Sequence, residues 1–386
     1  MSKRTGGFIG QDGLNAPDPA TGVTGTAGDE QVDVSFTSPS DVGGADVTEY
    51  RVTDSTGAFG ASGSASPITV TGLTNGTSYT FNVWAINPFG WSSPSDASGG
   101  VTPELLQRAL FWGGSSLSDV IDYVDITTTG NATDFGNVAG STLEWTGCCA
   151  SSTRSIAAGG SRPSKTSQIQ YVTFTTTGNA SNFGNLTLTR EKLAGCSNAT
   201  RGLFGGGYGA SETNTIDYIT MASTGNATDF GNLTVSRYQN AALASPTRGV
   251  FLGGDFGKRI IDYVTISSTG NATSFGSLNV ARDEFASCSS STRGLSASTW
   301  SNNNSIEYIT ISSTGNGIDF GDLTVGRDSL AAAASQLRGV FAGGQPSSNV
   351  IDYVTIASTG NATDFGDLTV GRHQVSGNSS NHGGLQ

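Results

Sequence analysis

The sequence predicts an all-β protein, and the main reason is an internal repeat in its last two-thirds. A phrase of twenty-two residues occurs six times, most clearly as IDYVTIASTGNATDFGDLTVGR from Ile351. Successive copies begin 48, 47, 45, 45 and 45 residues apart. A period of this length, filled with short β segments and Gly-rich turns, is typical of a β-propeller. We therefore expect residues 104–386 to form six four-stranded blades.

The composition of the chain limits the classes of partner that we expect it to bind. The chain has 386 residues, of which 13% are charged, and its net charge is −12. Such a balance repels phosphate backbones, so we expect no nucleic-acid partner. No apolar run has the length of a membrane span, and the first residues lack the apolar core of a secretory signal. We therefore expect synthesis in a cytosol and no membrane insertion.

The sequence pattern of residues 21–103 predicts a small antiparallel β-sandwich. VDVSF from Val32 alternates apolar and polar residues, as a half-buried strand does. It is followed by a GG turn, a strand with Tyr50, the phrase GLTNGTSYTFNVWAIN, and SSPS before a last strand. This pattern resembles the fibronectin type III domain. The resemblance implies that Tyr79 closes the corner of the sandwich by bonding to backbone, and that Phe36 takes the place of the usual Trp.

Residues 1–20 precede the sandwich without any periodicity. They include the large apolar side chains of Phe8, Ile9 and Leu14. A solvated tail would leave these apolar side chains exposed to water. One interpretation is therefore an extended arm that docks onto a partner in a virion. The alternative is a flexible leader.

One repeat can be divided by its turn residues. In the last complete copy, Ser329–Ser335 is the inner strand, GVFAGG the second, VIDYVTIAS the third and ATDFGDLTV the outer strand, which ends at Arg372. The Gly pair Gly343–Gly344 ends the second strand, where positive φ or close packing demands a residue without Cβ. TGN is expected to be a turn, with Asn chosen for its conformation.

The repeat resembles the kelch repeat in three features. A Gly pair follows an apolar strand, a Tyr lies downstream, and an Arg closes the outer strand. Phe stands where kelch repeats usually carry Trp, and the copy near Ser296 has lost its Gly pair.

The register of the repeats predicts how the ring closes. LLQRALFWGG opens the repeat region as a second strand, without an inner strand before it. RHQVSGNSSNHGG ends the chain as an inner strand with nothing after it. We expect residues 373–386 to supply the missing inner strand of the first blade, because this closure hides an unpaired edge.

Two recurring residue types are expected to be structural. One is an Arg that begins the second strand, and we expect it to pair between blades with the Asp of the Asp-Phe step. These residues are Arg154, Arg201, Arg248, Arg293 and Arg338, with Asp134, Asp229, Asp319 and Asp364. The other type is Cys. We expect Cys148, Cys149, Cys196 and Cys288 to be small buried side chains without a disulfide or a metal.

The candidate binding site lies in loops that differ between blades. These loops and the strand four-to-one connections meet on one face, where a rigid ring presents its binding residues. Exposed aromatic rings beside Asn and Asp suit the faces and hydroxyls of sugars. The alternative is that each ring only covers a blade edge. The candidate residues are Trp145, Tyr208, Tyr238, Phe256, Trp300 and His373.

Catalysis has little support in the sequence. The chain has two His residues, and no motif indicates a nucleophile, a phosphate-binding loop, a metal site or a cofactor. We therefore expect no enzyme activity, no cofactor and no metal. A carbohydrate-active enzyme with a carboxylate pair stays open as a rival.

The whole arrangement resembles structural proteins of tailed bacteriophages, of the marine and cyanobacterial phage kind. The resemblance rests on GGFIGQDGLNAPD before the sandwich and on the repeat region after it. It implies a non-enzymatic virion protein that is assembled in the bacterial cytoplasm. A tail fibre or tail-associated adhesin would recognise host surface glycans or another virion protein. A capsid decoration protein is the alternative, and homo-oligomerisation on the particle is left open.

Overall fold

The structure is a computed structural model that describes residues 14–104, 107–115, 119–140, 142–300 and 303–385. The chain divides into two compact units, Met1–Leu106 and Gln107–Gln386. Every regular element of the described residues is a β-strand, so the fold is all-β. Among these residues no helix has the length and apolar character needed to cross a membrane.

The first unit consists of two antiparallel sheets. One has the strand order β1-β2-β5 and the other β4-β3-β6-β7. Their bounds are β1 Thr21–Gly28, β2 Gln31–Thr37, β3 Glu49–Asp54, β4 Gly60–Gly63, β5 Ile68–Thr71, β6 Phe81–Asn87 and β7 Gly90–Trp91. Buried and exposed residues alternate along β2, β3 and β6, which gives each sheet one apolar face for the core.

The core of this unit contains the aromatic residues that the sequence singled out. Phe36 packs on Tyr50 with ring centroids 4.7 Å apart. Tyr79 stacks near Phe81, and its hydroxyl oxygen accepts a hydrogen bond of 3.1 Å from the backbone N–H of Thr74. This backbone bond is the one that the resemblance implied for Tyr79.

A segment after β7 pairs with β6 in an unusual way. Ser92, Ser95 and Ser98 recur every third residue, and each donates its N–H to a carbonyl of β6. Each hydroxyl oxygen also accepts a bond of 2.9 Å from the N–H of that same β6 residue. The three hydroxyls therefore satisfy an edge that no regular strand covers.

The second unit contains six four-stranded antiparallel sheets, numbered 1 to 6 along the chain. Sheet 1 has the order β10-β9-β8-β33, and sheets 2 to 6 each use four strands in chain order. A two-stranded piece, β13–β14, extends a loop of sheet 2. The first sheets contain β8 Arg108–Trp112, β9 Val120–Asp125, β10 Thr133–Asn137, β11 Gly147–Ala150, β12 Arg154–Ala158, β13 Ser161–Arg162, β14 Ser164–Lys165, β15 Gln168–Thr173, β16 Ser181–Asn185, β17 Ala194–Ser197, β18 Arg201–Gly205, β19 Thr215–Thr220 and β20 Thr228–Asn232. The later sheets contain β21 Ala241–Ala244, β22 Arg248–Leu252, β23 Ile260–Thr265, β24 Thr273–Ser277, β25 Ala286–Ser289, β26 Arg293–Thr299, β27 Asn303–Thr310, β28 Ile318–Asp322, β29 Ala331–Ala334, β30 Arg338–Ala342, β31 Val350–Thr355, β32 Thr363–Asp367 and β33 Ser376–Ser379.

The last strand of the chain lies in the first sheet. Ser376–Ser379 pairs antiparallel with Arg108–Trp112, in the register Ser376 to Trp112 and Ser379 to Ala109. The innermost strands contact one another in the cyclic order β11, β17, β21, β25, β29, β33 and back to β11. Apolar side chains fill the space between successive sheets, as in the group of Ile156, Phe183 and Phe204.

Neighbouring sheets are also joined at their outer strands by the TGN segments. The N–H of Gly178 donates to the carbonyl of Phe135, and the side-chain oxygen of Asn179 accepts from the N–H of Asn137 at 3.0 Å. The same pair of bonds recurs between all successive sheets, including sheets 6 and 1. None of these Asn residues has positive φ. The expectation that Asn is chosen for its conformation is therefore wrong, because its role is to accept this hydrogen bond.

The expected pairing of the recurring Arg with the Asp-Phe aspartate is also wrong. The guanidinium of Arg154 lies 4.9 Å from the ring of Tyr171, and its Nη1 donates to the carbonyl of Met221 in the next sheet. The other recurring Arg residues make equivalent contacts. Asp134 is exposed and accepts a local bond from Gly136 instead. A delocalised cation thus packs on an aromatic face while it bonds to the neighbouring sheet.

A different set of residues forms the ion pairs, and these are buried. The closing Arg of each strand four-to-one connection pairs with an acidic residue on the third strand of the following sheet. Arg237 and Asp262, for example, are 3.1 Å apart with fully buried side chains. Sheet 2 lacks the pair: Leu143 occupies the Arg position, and Gln170 replaces the acid. The two positions have therefore changed together.

The cysteines lie on the innermost strands, which surround an axial space, and Cys149, Cys196 and Cys288 pack into the apolar groups between neighbouring sheets. Cys148, Cys149, Cys196 and Cys288 are buried and free. Burial raises the pKa of the Cys196 and Cys288 thiols to about 12. The expectation of small buried side chains on these strands is confirmed.

The C-terminal tail covers one end of the same axial space. The imidazole of His382 lies 2.9 Å from the carbonyl oxygen of Ala150, and Gly383 donates its N–H to Ser289. A cavity of about 50 Å³ remains between the strands and this tail.

Candidate ligand-binding face

The loops of variable sequence lie at one end of the second unit. In each antiparallel sheet, the loop after the second strand and the connection after the fourth strand leave from the same end. Backbone bonds join these loops to the connections: Gly160 donates to Arg190, and Tyr208 exchanges bonds with Glu191. We call this end the variable face.

Three of the six predicted site residues come together on the variable face. Tyr208 and Tyr238 pack edge to face with centroids 5.3 Å apart. Lys192 Nζ lies 4.5 Å from the centroid of the Trp145 ring and 5.7 Å from that of Tyr238. Lys165 Nζ lies 4.0 Å from the centroid of Tyr208. We call these five residues, Trp145, Lys165, Lys192, Tyr208 and Tyr238, the aromatic–lysine cluster.

Phe256 lies on the next loop and is the most open of the predicted residues. Its side chain is 89% exposed, and its φ is 56°. Lys258 Nζ lies 5.8 Å from its ring and also pairs with Asp255 at 2.7 Å and with Glu212 at 3.9 Å. Glu212 belongs to the loop that carries Tyr208, so the Lys258–Glu212 pair joins the two loops, whereas the Lys258–Asp255 pair lies within one loop.

Trp300 and His373 lie elsewhere on the variable face. Trp300 is 67% exposed. His373 is half-buried, with Nδ1 2.6 Å from the hydroxyl of Ser115 and 3.5 Å from that of Ser347. Burial lowers the pKa of His373, although Asp328 opposes this shift. No ring or cation contact of the described residues joins either side chain to the aromatic–lysine cluster.

A ring of six residues around the axis was missed as a unit by the sequence reasoning. Each lies two positions after the closing Arg or after Leu143, and each has φ between 52° and 60°. They are Trp145, Lys192, Gln239, Glu284, Ser329 and Gln374. We call these six residues the axial rim. The spacing of two residues from the closing Arg is visible in the sequence. The residue types at this position differ, however, so the repeats share no amino acid that would indicate the ring.

Hydrogen bonds hold the axial rim in place. The N–H of Lys192 donates to the carbonyl of Trp145 at 2.8 Å, and Gln239 donates to Lys192 in the same way at 2.9 Å. Further around, Ser329 donates to Glu284 at 2.6 Å, and Gln374 donates to Ser329 at 2.7 Å. The rim therefore presents fixed backbone positions from which different side chains project.

The electrostatics of the rim are uneven. The Glu284 carboxylate accepts bonds from the Gln239 amide and from the Ser329 hydroxyl, the latter 3.0 Å long. Burial raises the pKa of Glu284 and Asp328 adds to this shift, whereas the Ser329 hydrogen bond and the Lys192 ammonium oppose it. Burial also raises the pKa of Tyr238, with Asp255 as the next cause. One side of the rim is thus acidic. Lys192, which belongs to the same rim, carries a positive charge.

Phe8, Ile9 and Leu14 are the residues that the sequence predicts to dock onto a virion partner. Phe8 and Ile9 lie outside the described residues, and Leu14 is 41% exposed. Among the described residues, no three His, Cys, Asp or Glu side chains are grouped so that they could hold a metal ion.

Comparison with known proteins identifies the first unit. The family model of the fibronectin type III domain matches residues 17–100. No curated protein matches the chain. Residues 17–100 therefore form a fibronectin type III domain, which precedes a second all-β unit of six small sheets.

Proposed function

We propose that the second unit is a six-bladed β-propeller of the kelch-like type. Three observations support this proposal: six sheets of four strands, cyclic contacts between the innermost strands, and a last strand that joins the first sheet. The outer TGN bonds between sheets 6 and 1 follow the same cycle. Such a ring is a rigid scaffold whose loops can vary without loss of the core.

We propose that the protein is a non-enzymatic structural protein of a tailed-phage virion. Its role would be that of a tail fibre or tail-associated adhesin, and the propeller would recognise a host surface glycan or another virion protein. The aromatic–lysine cluster carries this proposal. Its rings are held by cations and by one another, so they lose little freedom on binding, and flat rings suit sugar faces.

Binding of the full chain to an array of bacterial surface glycans tests the proposal. We expect Tyr208→Ala combined with Trp145→Ala to weaken binding by about tenfold, because two stacking faces are lost. Leu337→Ala is the matched control: Leu337 is 69% exposed but lies in a turn between first and second strands, away from the variable face. Equal loss in this control, or no glycan binding at all, would exclude glycan recognition by this face.

The alternatives are separated by different measurements. A capsid decoration protein needs only docking, and imaging of its position on the particle distinguishes it from a tail protein. A carbohydrate-active enzyme would cleave host polysaccharide, and its turnover would vanish when a carboxylate of the variable face, such as Glu284, is changed to Gln.

A further inference from the structure

We infer that the cavity inside the axial rim is a subsite for the carboxylate-bearing edge of one acidic sugar residue. This inference rests on the proposed glycan-binding function and names the ligand class. The cavity measures about 80 Å³ and is lined by all six rim residues. Its size fits one edge of a sugar residue and not an oligosaccharide.

The cavity has two layers of different character. The rim supplies polar groups and the indole of Trp145. The next residue of each connection forms the layer below, and four of these six residues are apolar. They are Leu193, Phe285, Leu330 and Val375, with Thr146 and Asn240 as the polar members. A pyranose ring has the same mixed character, with hydroxyls at its edge and C–H groups on its faces.

Lys192 supplies the cation for the carboxylate. Its Nζ is held near two rings, and no carboxylate of the described residues lies within 4 Å of it. The other lysines near the cluster differ, because Lys165 pairs with Glu191 and Lys258 pairs with Asp255. The ammonium of Lys192 therefore has N–H donors to spare for a ligand, and an ammonium bonds a carboxylate more strongly than a neutral group.

The remaining rim groups select against a fully anionic ligand. Glu284, with Asp283 and Asp328 nearby, would repel negative charge on its side of the cavity. The same side offers the Glu284 carboxylate as an acceptor for hydroxyl donors. A ligand with one carboxylate and several hydroxyls satisfies both sides, whereas a phosphate or sulfate ester polymer does not.

The test compares two probes that differ only in the carboxylate. Methyl glucuronoside and methyl glucoside are titrated into the full-length protein at pH 7, with ligand-observed NMR as the readout. We expect the acidic sugar to bind about tenfold more tightly, and more weakly as salt rises. Lys192→Met keeps the apolar stem but removes the charge, so it should bring the acidic sugar to the affinity of the neutral one.

Arg51→Met is the matched control, because Arg51 also lies over an aromatic ring, that of Trp91, but belongs to the fibronectin type III domain and does not line the cavity. It should leave the preference unchanged. Equal affinities for the two probes, or equal effects of Lys192→Met and Arg51→Met, would overturn the inference. If array glycans still bind in that case, the proposed adhesin function survives without this subsite. If no glycan binds, both fail.

Discussion

At the scale of single residues, the Gly of each Phe-Gly step is fixed by the approach of the next sheet. A Cβ on Gly184 would lie 2.1 Å from the carbonyl oxygen of Gly225, and equivalent close approaches recur at all six junctions. The partner glycine differs, because a Cβ on Gly225 would meet nothing within 4 Å. One glycine of the pair thus serves close packing, and the other has free space around it.

We predict that Gly184→Ala destabilises the second unit by about 2 kcal/mol or more, because backbone at the junction must move. Gly225→Ala should change stability by less than about 0.5 kcal/mol, since neither glycine has a φ that penalises a side chain. Chemical denaturation followed by circular dichroism measures both. Equal effects of the two substitutions would contradict the packing argument.

Burial holds His382 in its neutral form, and its hydrogen bonds fix which ring nitrogen carries the proton. Nε2 donates to the carbonyl of Ala150, and Nδ1 accepts from the N–H of Gly384 at 3.1 Å. Burial lowers the pKa of this imidazole to about 4 from a usual value of 6.5. Between these two pH values the unfolded chain binds a proton that the folded chain does not.

We predict that this residue makes stability fall as pH decreases from 6.5 to 4, by roughly 3 kcal/mol in total, and leaves it unaffected above that window. His382→Gln cannot titrate, so it should flatten this part of the profile. Subtracting the profile of the variant from that of the unmodified protein cancels the carboxylate contributions that both proteins share. Parallel profiles would show that His382 does not titrate in the folded protein as described.

At the scale of elements, a buried ion pair joins each connection to the sheet that follows it. Asp262 accepts bonds from the backbone and hydroxyl of Thr234 as well as from Arg237, so it ties the connection after β20 to β23 at two points. The Leu143 and Gln170 positions show that the same junction also forms without charges. A buried pair can therefore be replaced as a unit, although loss of one partner leaves an uncompensated charge.

We predict that Arg237→Leu costs about 3–5 kcal/mol of stability because Asp262 stays buried without its cation. The double variant Arg237→Leu with Asp262→Gln copies the natural junction and should recover most of this loss. Urea denaturation of both single variants and the double variant gives the coupling energy. Additive losses would mean that the two side chains do not act as a pair.

At the scale of the whole molecule, the last strand completes the first sheet. Without Ser376–Ser379, the β8 strand would expose an unpaired inner edge, and the innermost strands β29 and β11 would lose the strand between them. Arg372 also pairs with Asp122, so the C-terminal connection is anchored to sheet 1 by a buried charge. The two ends of the unit are therefore mutually dependent.

We predict that deletion of residues 373–386 abolishes cooperative unfolding of the second unit, while the fibronectin type III domain keeps its own transition. Deletion of 382–386 alone removes only the tail over the cysteine-lined space and should leave the six sheets folded. Hydrogen exchange of the backbone amides distinguishes the outcomes. Retained protection in the sheets after the longer deletion would contradict the role assigned to β33.

The repeat phrase carries much of the local structure. The alternation in the IDYVT segments predicts the third strands, and the Gly pairs have the positive φ that their position after an apolar strand indicates. Pair interactions were harder to infer. Arg154 could equally have faced Asp134, and only the placement of Tyr171 and Met221 shows where its guanidinium packs.

Only part of the candidate site could be predicted from the sequence, because contacts between sheets again decide which side chains meet. Trp145, Tyr208 and Tyr238 are visible as aromatics in variable loops, but their meeting with Lys165 and Lys192 depends on contacts between different sheets. The axial rim has no repeated residue type, because its members share a backbone position and not a side chain.

The sequence by itself determined the period of the chain, its strands and the fibronectin type III domain, since these follow from local alternation and turn residues. Only the tertiary structure decided which Arg pairs with which acid, why Asn recurs in TGN, and which side chains share the axial cavity. These are properties of neighbouring sheets, set by packing between residues that are mostly about 25 to 47 positions apart, and no local pattern specifies them.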